Sequence, residues 1–113
     1  AMNQVARLRN TRPDLSLTGD VATTPLVAVG PYKDFIITVL TTPSSANRTL
    51  RFAVQSNDGE TPHVLYNSSN AVVEMTVAPG RAYALPAELA AAAFVKVFHT
   101  GAGVVTATID LKS

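Results

Sequence analysis

Between residues 94 and 111 apolar and polar positions alternate with period two on both sides of a short, glycine-containing link. Phe94, Lys96 and Phe98 alternate with Val95, Val97 and His99; after Thr100-Gly101-Ala102-Gly103, residues Val105, Ala107, Ile109 and Leu111 alternate with Val104, Thr106, Thr108 and Asp110. Two such arms around glycines predict a pair of strands joined as a hairpin. The second arm is aliphatic on one side and Thr or Asp on the other, so one face belongs on a core. The first arm is apolar on both sides apart from Lys96 and His99, which predicts a central strand.

The same period runs through the rest of the chain. Leu15 and Leu17 begin a strand over residues 14–21, and Leu26, Ala28 and Val29 belong to a second that starts near Thr24 and closes at Gly30-Pro31. Pro25 assigns that second strand to an edge or makes it the strand's first position, because proline cannot donate to a ladder. Residues 33–42 form the strongest pattern, with Phe35, Ile37 and Val39 opposing Ile36, Thr38 and Leu40, and are expected to be buried on both sides. Pro43-Ser44-Ser45-Ala46-Asn47 is loop chemistry. Residues 48–56 then direct Leu50, Phe52 and Val54 inward, ahead of a turn at Asn57-Asp58-Gly59-Glu60 and a short return strand over His63, Val64, Leu65 and Tyr66. After a turn over 67–70, Val73, Met75 and Val77 share one face of a strand over 72–78, closed by Pro79-Gly80, and residues 81–85 give one more strand. Only 86–93, Pro-Ala-Glu-Leu-Ala-Ala-Ala-Ala, suits a helix, and its length predicts a single helical or 3₁₀ turn.

About eight short strands with no crossover helix predict an all-β fold, an antiparallel two-sheet sandwich of jelly-roll type. Its predicted core is Phe35, Ile37, Val39, Leu50, Phe52, Val54, Val95, Val97, Val105, Ala107 and Ile109. Residues 14–113 make one sandwich domain. Residues 1–13, with Arg7, Arg9 and Arg12 and no strand-length alternation, form an extended basic arm whose arginines are candidate partner-binding residues. Ala1 ahead of Met2 reads as a cloning remnant.

Composition narrows the function. A net charge of +1 argues against nucleic-acid binding by broad phosphate neutralisation. No apolar run reaches membrane-spanning length, and the first residues lack the apolar stretch of a signal peptide. With no cysteine, neither disulfides nor thiolate metal sites are available. The charged fraction is 15%, against about 25% in ordinary domains, so neutral or apolar faces must point outward and association is expected.

Candidate chemistry is sparse. His63 and His99 are the only histidines, each placed on a strand rather than in a ligand cluster. Asn57, Asp58 and Glu60 offer oxygens to calcium, but the same triplet is hairpin chemistry, and calcium takes six to eight ligands. Asn47-Arg48-Thr49 and Asn67-Ser68-Ser69 match glycosylation triplets and read as turns. No nucleophile elbow or metal-ligand spacing is present, which predicts no enzymatic activity, no cofactor and no small-molecule substrate. Glycan binding by a sandwich uses exposed aromatics, for which Tyr32, Tyr66 and Tyr83 are the candidates.

The succession Phe35-Ile36-Ile37-Thr38-Val39, then Thr49-Leu50-Arg51-Phe52-Ala53-Val54-Gln55-Ser56-Asn57-Asp58-Gly59, then Tyr83-Ala84-Leu85-Pro86-Ala87 leading into Phe94-Val95-Lys96-Val97 resembles the small β-sandwich cement or decoration proteins of tailed-bacteriophage heads. The likeness runs from about Pro31 to the C-terminus and is one of spacing and residue type, shared with discoidin-like and carbohydrate-binding sandwiches. It implies a non-enzymatic structural protein of the virion that is assembled in the host cytoplasm. Such a protein docks as a homo-oligomer, dimer or trimer, on the major capsid protein and reinforces the shell. The other reading is a carbohydrate-binding module or receptor-binding head.

Overall fold

Side chains that alternate between apolar and polar commit a chain to strands, and strands dominate this one. The computed structural model describes residues 9–30, 34–57, 59–86, 89 and 91–112. Nine strands occur among them: β1 (Arg9–Leu17), β2 (Leu26–Ala28), β3 (Asp34–Thr41), β4 (Arg48–Gln55), β5 (His63–Val64), β6 (Glu74–Val77), β7 (Arg81–Ala84), β8 (Phe94–His99) and β9 (Val105–Lys112). They form two antiparallel sheets, ordered β1-β9-β3-β7 and β2-β8-β4-β5, with β6 also on β4.

β5 and β6 are two halves of one edge. Both pair with β4, β6 along Arg48–Arg51 and β5 at Ala53 and Val54. Between them the chain leaves the sheet in a small excursion, held by a bridge between Tyr66 and Val72 and by Asn67 N–H to the Ala71 carbonyl at 2.8 Å. If these halves count as one strand, the partners are β4 with β5/β6, β3 with β7, β2 with β8 and β1 with β9. The chain is therefore one long antiparallel hairpin, rolled up so that β9 also meets β3 and β8 also meets β4. That is the jelly-roll arrangement.

The core lies between the sheets. Leu15, Leu17, Phe35, Ile37, Val39, Val105, Ala107, Ile109 and Leu111 face it from one side, and Val27, Leu50, Phe52, Val77, Val95 and Val97 from the other. Every residue of the predicted core is buried except Val54, which is half-buried against it. Val29 and Leu89 join the same cluster. Leu89 is held by 3₁₀-type bonds, its N–H to the Pro86 carbonyl at 3.2 Å and the Ala92 N–H to its own carbonyl at 3.1 Å. Of the predicted helical turn, Ala87, Glu88 and Ala90 lie outside the described residues, as does Pro31 of the predicted turn at 30–31.

Four expectations are corrected. The hairpin over 94–111 does not form: β8 pairs with β2 and β4, β9 with β1 and β3, and residues 100–104 carry the chain across the sandwich. Period two specifies which side of each strand meets the core, and strands in opposite sheets satisfy that as well as neighbours do. Gly101 and Gly103, at φ +128° and +86°, make the crossing, and a Cβ on Gly103 would lie 2.6 Å from Cγ of Pro43. The first strand begins at Arg9, inside the segment read as an arm, and ends at Leu17 instead of Val21. Pro13 hid its start, because the register slips between Arg12 and Leu15 and a bulge absorbs the residue that cannot donate. Its end is set by Asp20, whose carboxylate accepts from Ala22 N–H at 3.0 Å and caps the 3₁₀ turn Val21–Thr23. Finally, β3 is buried on one side only, with Ile36 47% and Leu40 42% exposed.

Candidate functional site

The described residues among those singled out for chemistry are scattered over the molecule. His99 and His63 pair with Leu50 and Val54 on either side of β4, four positions apart on that strand, or about 13 Å. His99 is buried, its Nε2 2.8 Å from the Gly103 carbonyl, and its Nδ1 is without a hydrogen-bond partner. His63 is exposed. In the 57–60 turn Asp58 lies outside the described residues. The Asn57 carbonyl accepts from Gln55 Nε2 at 2.9 Å and from Glu60 N–H at 3.2 Å, and Glu60 bends back to accept from Ser56 N–H at 3.4 Å. Those bonds describe a self-contained turn. Among the described residues no group of three or more His, Asp or Glu is placed to hold a metal ion.

The tyrosines divide. Tyr83 is half-buried and its hydroxyl accepts from Ala78 N–H at 2.7 Å, so it braces the β6–β7 turn. Tyr66 is 55% exposed on the excursion, and Tyr32 lies outside the described residues. Asn67 serves as a turn residue, its Oδ1 accepting from Ser69 N–H at 2.9 Å and Ala71 N–H at 3.0 Å. Asn47 lies exposed in the loop before β4. Arg7 lies outside the described residues; Arg9 and Arg12 stand in β1 opposite Lys112 and Ile109. A shallow groove of about 340 Å³ runs between the β4–β5 turn and residues 91–93. Its polar walls are Gln55, Ser56, Glu60 and His63, and no Phe, Tyr or Trp among the described residues lines it.

The outer faces of the two sheets are the distinctive surfaces, and they differ. On the five-stranded sheet the chain covers much of its own outer face. The turn Val21–Thr23 lies against β8, and Lys96 Nζ donates to the Val21 carbonyl at 3.1 Å. On the same outer face Ala53, Gln55 and Phe98 are buried although they point away from the core. At the far edge Val64 and Tyr66 remain exposed beside an Arg51–Glu74 ion pair of 2.9 Å. That pair is solvent-exposed and contributes at most about 1 kcal/mol.

On the four-stranded sheet nothing among the described residues covers the outer face. Its residues are Ile36, Thr38 and Leu40 on β3, Ala82 and Ala84 on β7, Thr106, Thr108 and Asp110 on β9, and Ser16 on β1. Leu40 is the extra residue of a bulge between Val39 and Thr41, which turns it outward. Charge is confined to one end, where Asp34 and Asp110 lie and where Lys112 stands in register between Asp34 and Arg9. Sequence reasoning missed this face because a strand buried on both sides and a strand with an apolar outer face share one pattern. The neighbours carry the distinguishing signal, as Ala82, Ala84, Thr106 and Thr108 are too small to wall in Ile36 and Leu40.

These observations define an all-β sandwich with bare, weakly charged outer patches and no convergent polar site among the described residues. Compared with protein-family models, curated proteins and solved structures, the chain matches none. No helix among the described residues is long and apolar enough to cross a membrane.

Proposed function

We propose that this is a non-enzymatic structural protein of a virion, a cement or decoration protein that binds the outside of a bacteriophage shell through the major capsid protein. One observation carries the reading: exposed apolar side chains lie in two separate places, Ile36 and Leu40 on the outer face of the four-stranded sheet and Val64 with Tyr66 at the β5 edge of the other sheet. A reinforcing protein has to bridge, and bridging needs two separate contact surfaces. A receptor or enzyme needs one concave site instead. The resemblance to decoration proteins and the low charged fraction support the same function. The Val64–Tyr66 patch suits the shell, since an aromatic beside an aliphatic residue at a rim of charges is the usual composition of an interface centre.

Purified protein mixed with shells assembled from the capsid protein of the same virus should cosediment with them and raise the temperature at which they rupture. Tyr66→Asp should abolish cosedimentation while leaving the protein folded. Absence of cosedimentation, together with capture on a glycan array that Tyr66→Ala eliminates, would instead establish the carbohydrate-binding module.

A further inference from the structure

We infer that two copies of this chain stack through the outer face of the β1-β9-β3-β7 sheet into a two-fold dimer. The inference deepens the proposed function by giving one of the two contact surfaces to a second copy and leaving the other, at the opposite sheet, for the shell.

Strands lie about 4.8 Å apart and rise about 3.3 Å per residue, so three strands of eight or nine residues and one of four project roughly 450 Å². Two such faces bring together about 900 Å² before side-chain relief is counted, close to the 1,000 Å² at which specific interfaces begin. A stacked pair of sheets also repeats the packing that this molecule uses inside itself.

The chemistry of the face fits a second copy. Its centre is uncharged, so superposing it on itself brings no like charges together. Asp34 and Asp110 both lie at the end where β3 starts. A two-fold axis in the plane of the face and across the strands reverses strand direction and moves the two charged ends apart, so that neither is buried against the other. That axis passes near Thr38 and sets Ile36 of one copy beside Leu40 of the other. Ala82 and Ala84 on one flank and Thr106 and Thr108 on the other are short enough to let those side chains interdigitate.

Association through the sheet edges is disfavoured by the same sequence. β7 has four residues, β2 has three and follows Pro25, β5 and β6 are split by the 66–72 excursion, and β1 is kinked at Pro13. Short, bulged or interrupted edges are poor templates for another strand. The face is left as the surface for a second copy.

The test uses sedimentation and crosslinking of the full chain. At tens of micromolar the protein should sediment at twice the chain mass, and Ile36→Asp should halve that mass without changing its circular dichroism, and should melt at the temperature of the diluted, dissociated parent. Because the chain has no cysteine, Thr38→Cys introduces a single thiol. A short bis-maleimide should convert that variant to covalent dimer at least tenfold faster than Thr76→Cys, whose thiol lies on the opposite sheet. A parent that sediments at the mass of one chain at 100 µM, an Ile36→Asp variant that still dimerises, or equal crosslinking of the two thiols would each overturn the inference. Tyr66→Asp, which removes the proposed shell contact, should leave the dimer intact.

Discussion

Phe52 has no exposed surface and lies where the core clusters of both sheets meet, in register with Val97 of β8. Truncation to alanine leaves a cavity that the surrounding strands cannot close, so Phe52→Ala should cost about 3–5 kcal/mol in a urea unfolding titration. Gly103 is a different kind of position. Its φ of +86° is one that L side chains rarely adopt, and an added methyl would sit 2.6 Å from the Pro43 ring, which has little freedom to move aside. Gly103→Ala should therefore lower stability by about 1–3 kcal/mol although it removes no contact. Urea midpoints for the two variants separate the causes, because lost burial at Phe52 is relieved by Phe52→Leu, whereas no larger residue relieves Gly103.

Among the elements, β1 is the one whose role the structure changed most. Removing residues 1–12 deletes the pairing of Arg9–Arg12 with residues 109–112 and exposes the edge of β9. Thermal unfolding should then start several degrees earlier, since even about 1–2 kcal/mol shifts the midpoint of a domain this size by roughly 4 °C or more. An unchanged melting temperature would show that this end of β1 carries no stability. The strands were legible in the sequence because alternation follows from a core on one side. Leu50, Phe52, Val95, Val97, Val105 and Ile109 announce their inward faces without help from the rest of the chain. Partners were not legible, because Val95 and Val105 carry the same mark whether their strands lie side by side or in opposite sheets. The outward patch was hidden for the related reason that Ile36 and Leu40 look like core until Ala82, Ala84 and the β9 threonines are known to be their neighbours.

The whole molecule closes through contacts between its two ends. Arg9 pairs with Lys112 and Leu17 with Val105, so the pairing of β1 with β9 closes a loop of about ninety residues or more. Loops that long cost more entropy to close than local turns do, and folding should be slow, in the millisecond-to-second range typical of sandwiches, with one exponential phase in stopped-flow refolding. A refolding time in microseconds would mean that the sheets assemble from local pieces and that the end pairing adds little. If two copies stack face to face, the denaturation midpoint should rise with protein concentration, as it does whenever association is coupled to folding.

The pairing of β1 with β9 also has a mechanical meaning. Both ends of the rolled hairpin leave from neighbouring strands on the same side of the molecule, so a force pulling them apart acts across the strands. Its hydrogen bonds would break one pair at a time, like a zipper, at low force. Tethers attached to thiols at Thr38 and Thr76 would instead load the sandwich from face to face, where many core contacts share the strain. Single-molecule stretching should find the first geometry several-fold weaker. A protein of this design resists tension only when gripped by its faces, and any partner that relies on it for strength has to hold it there.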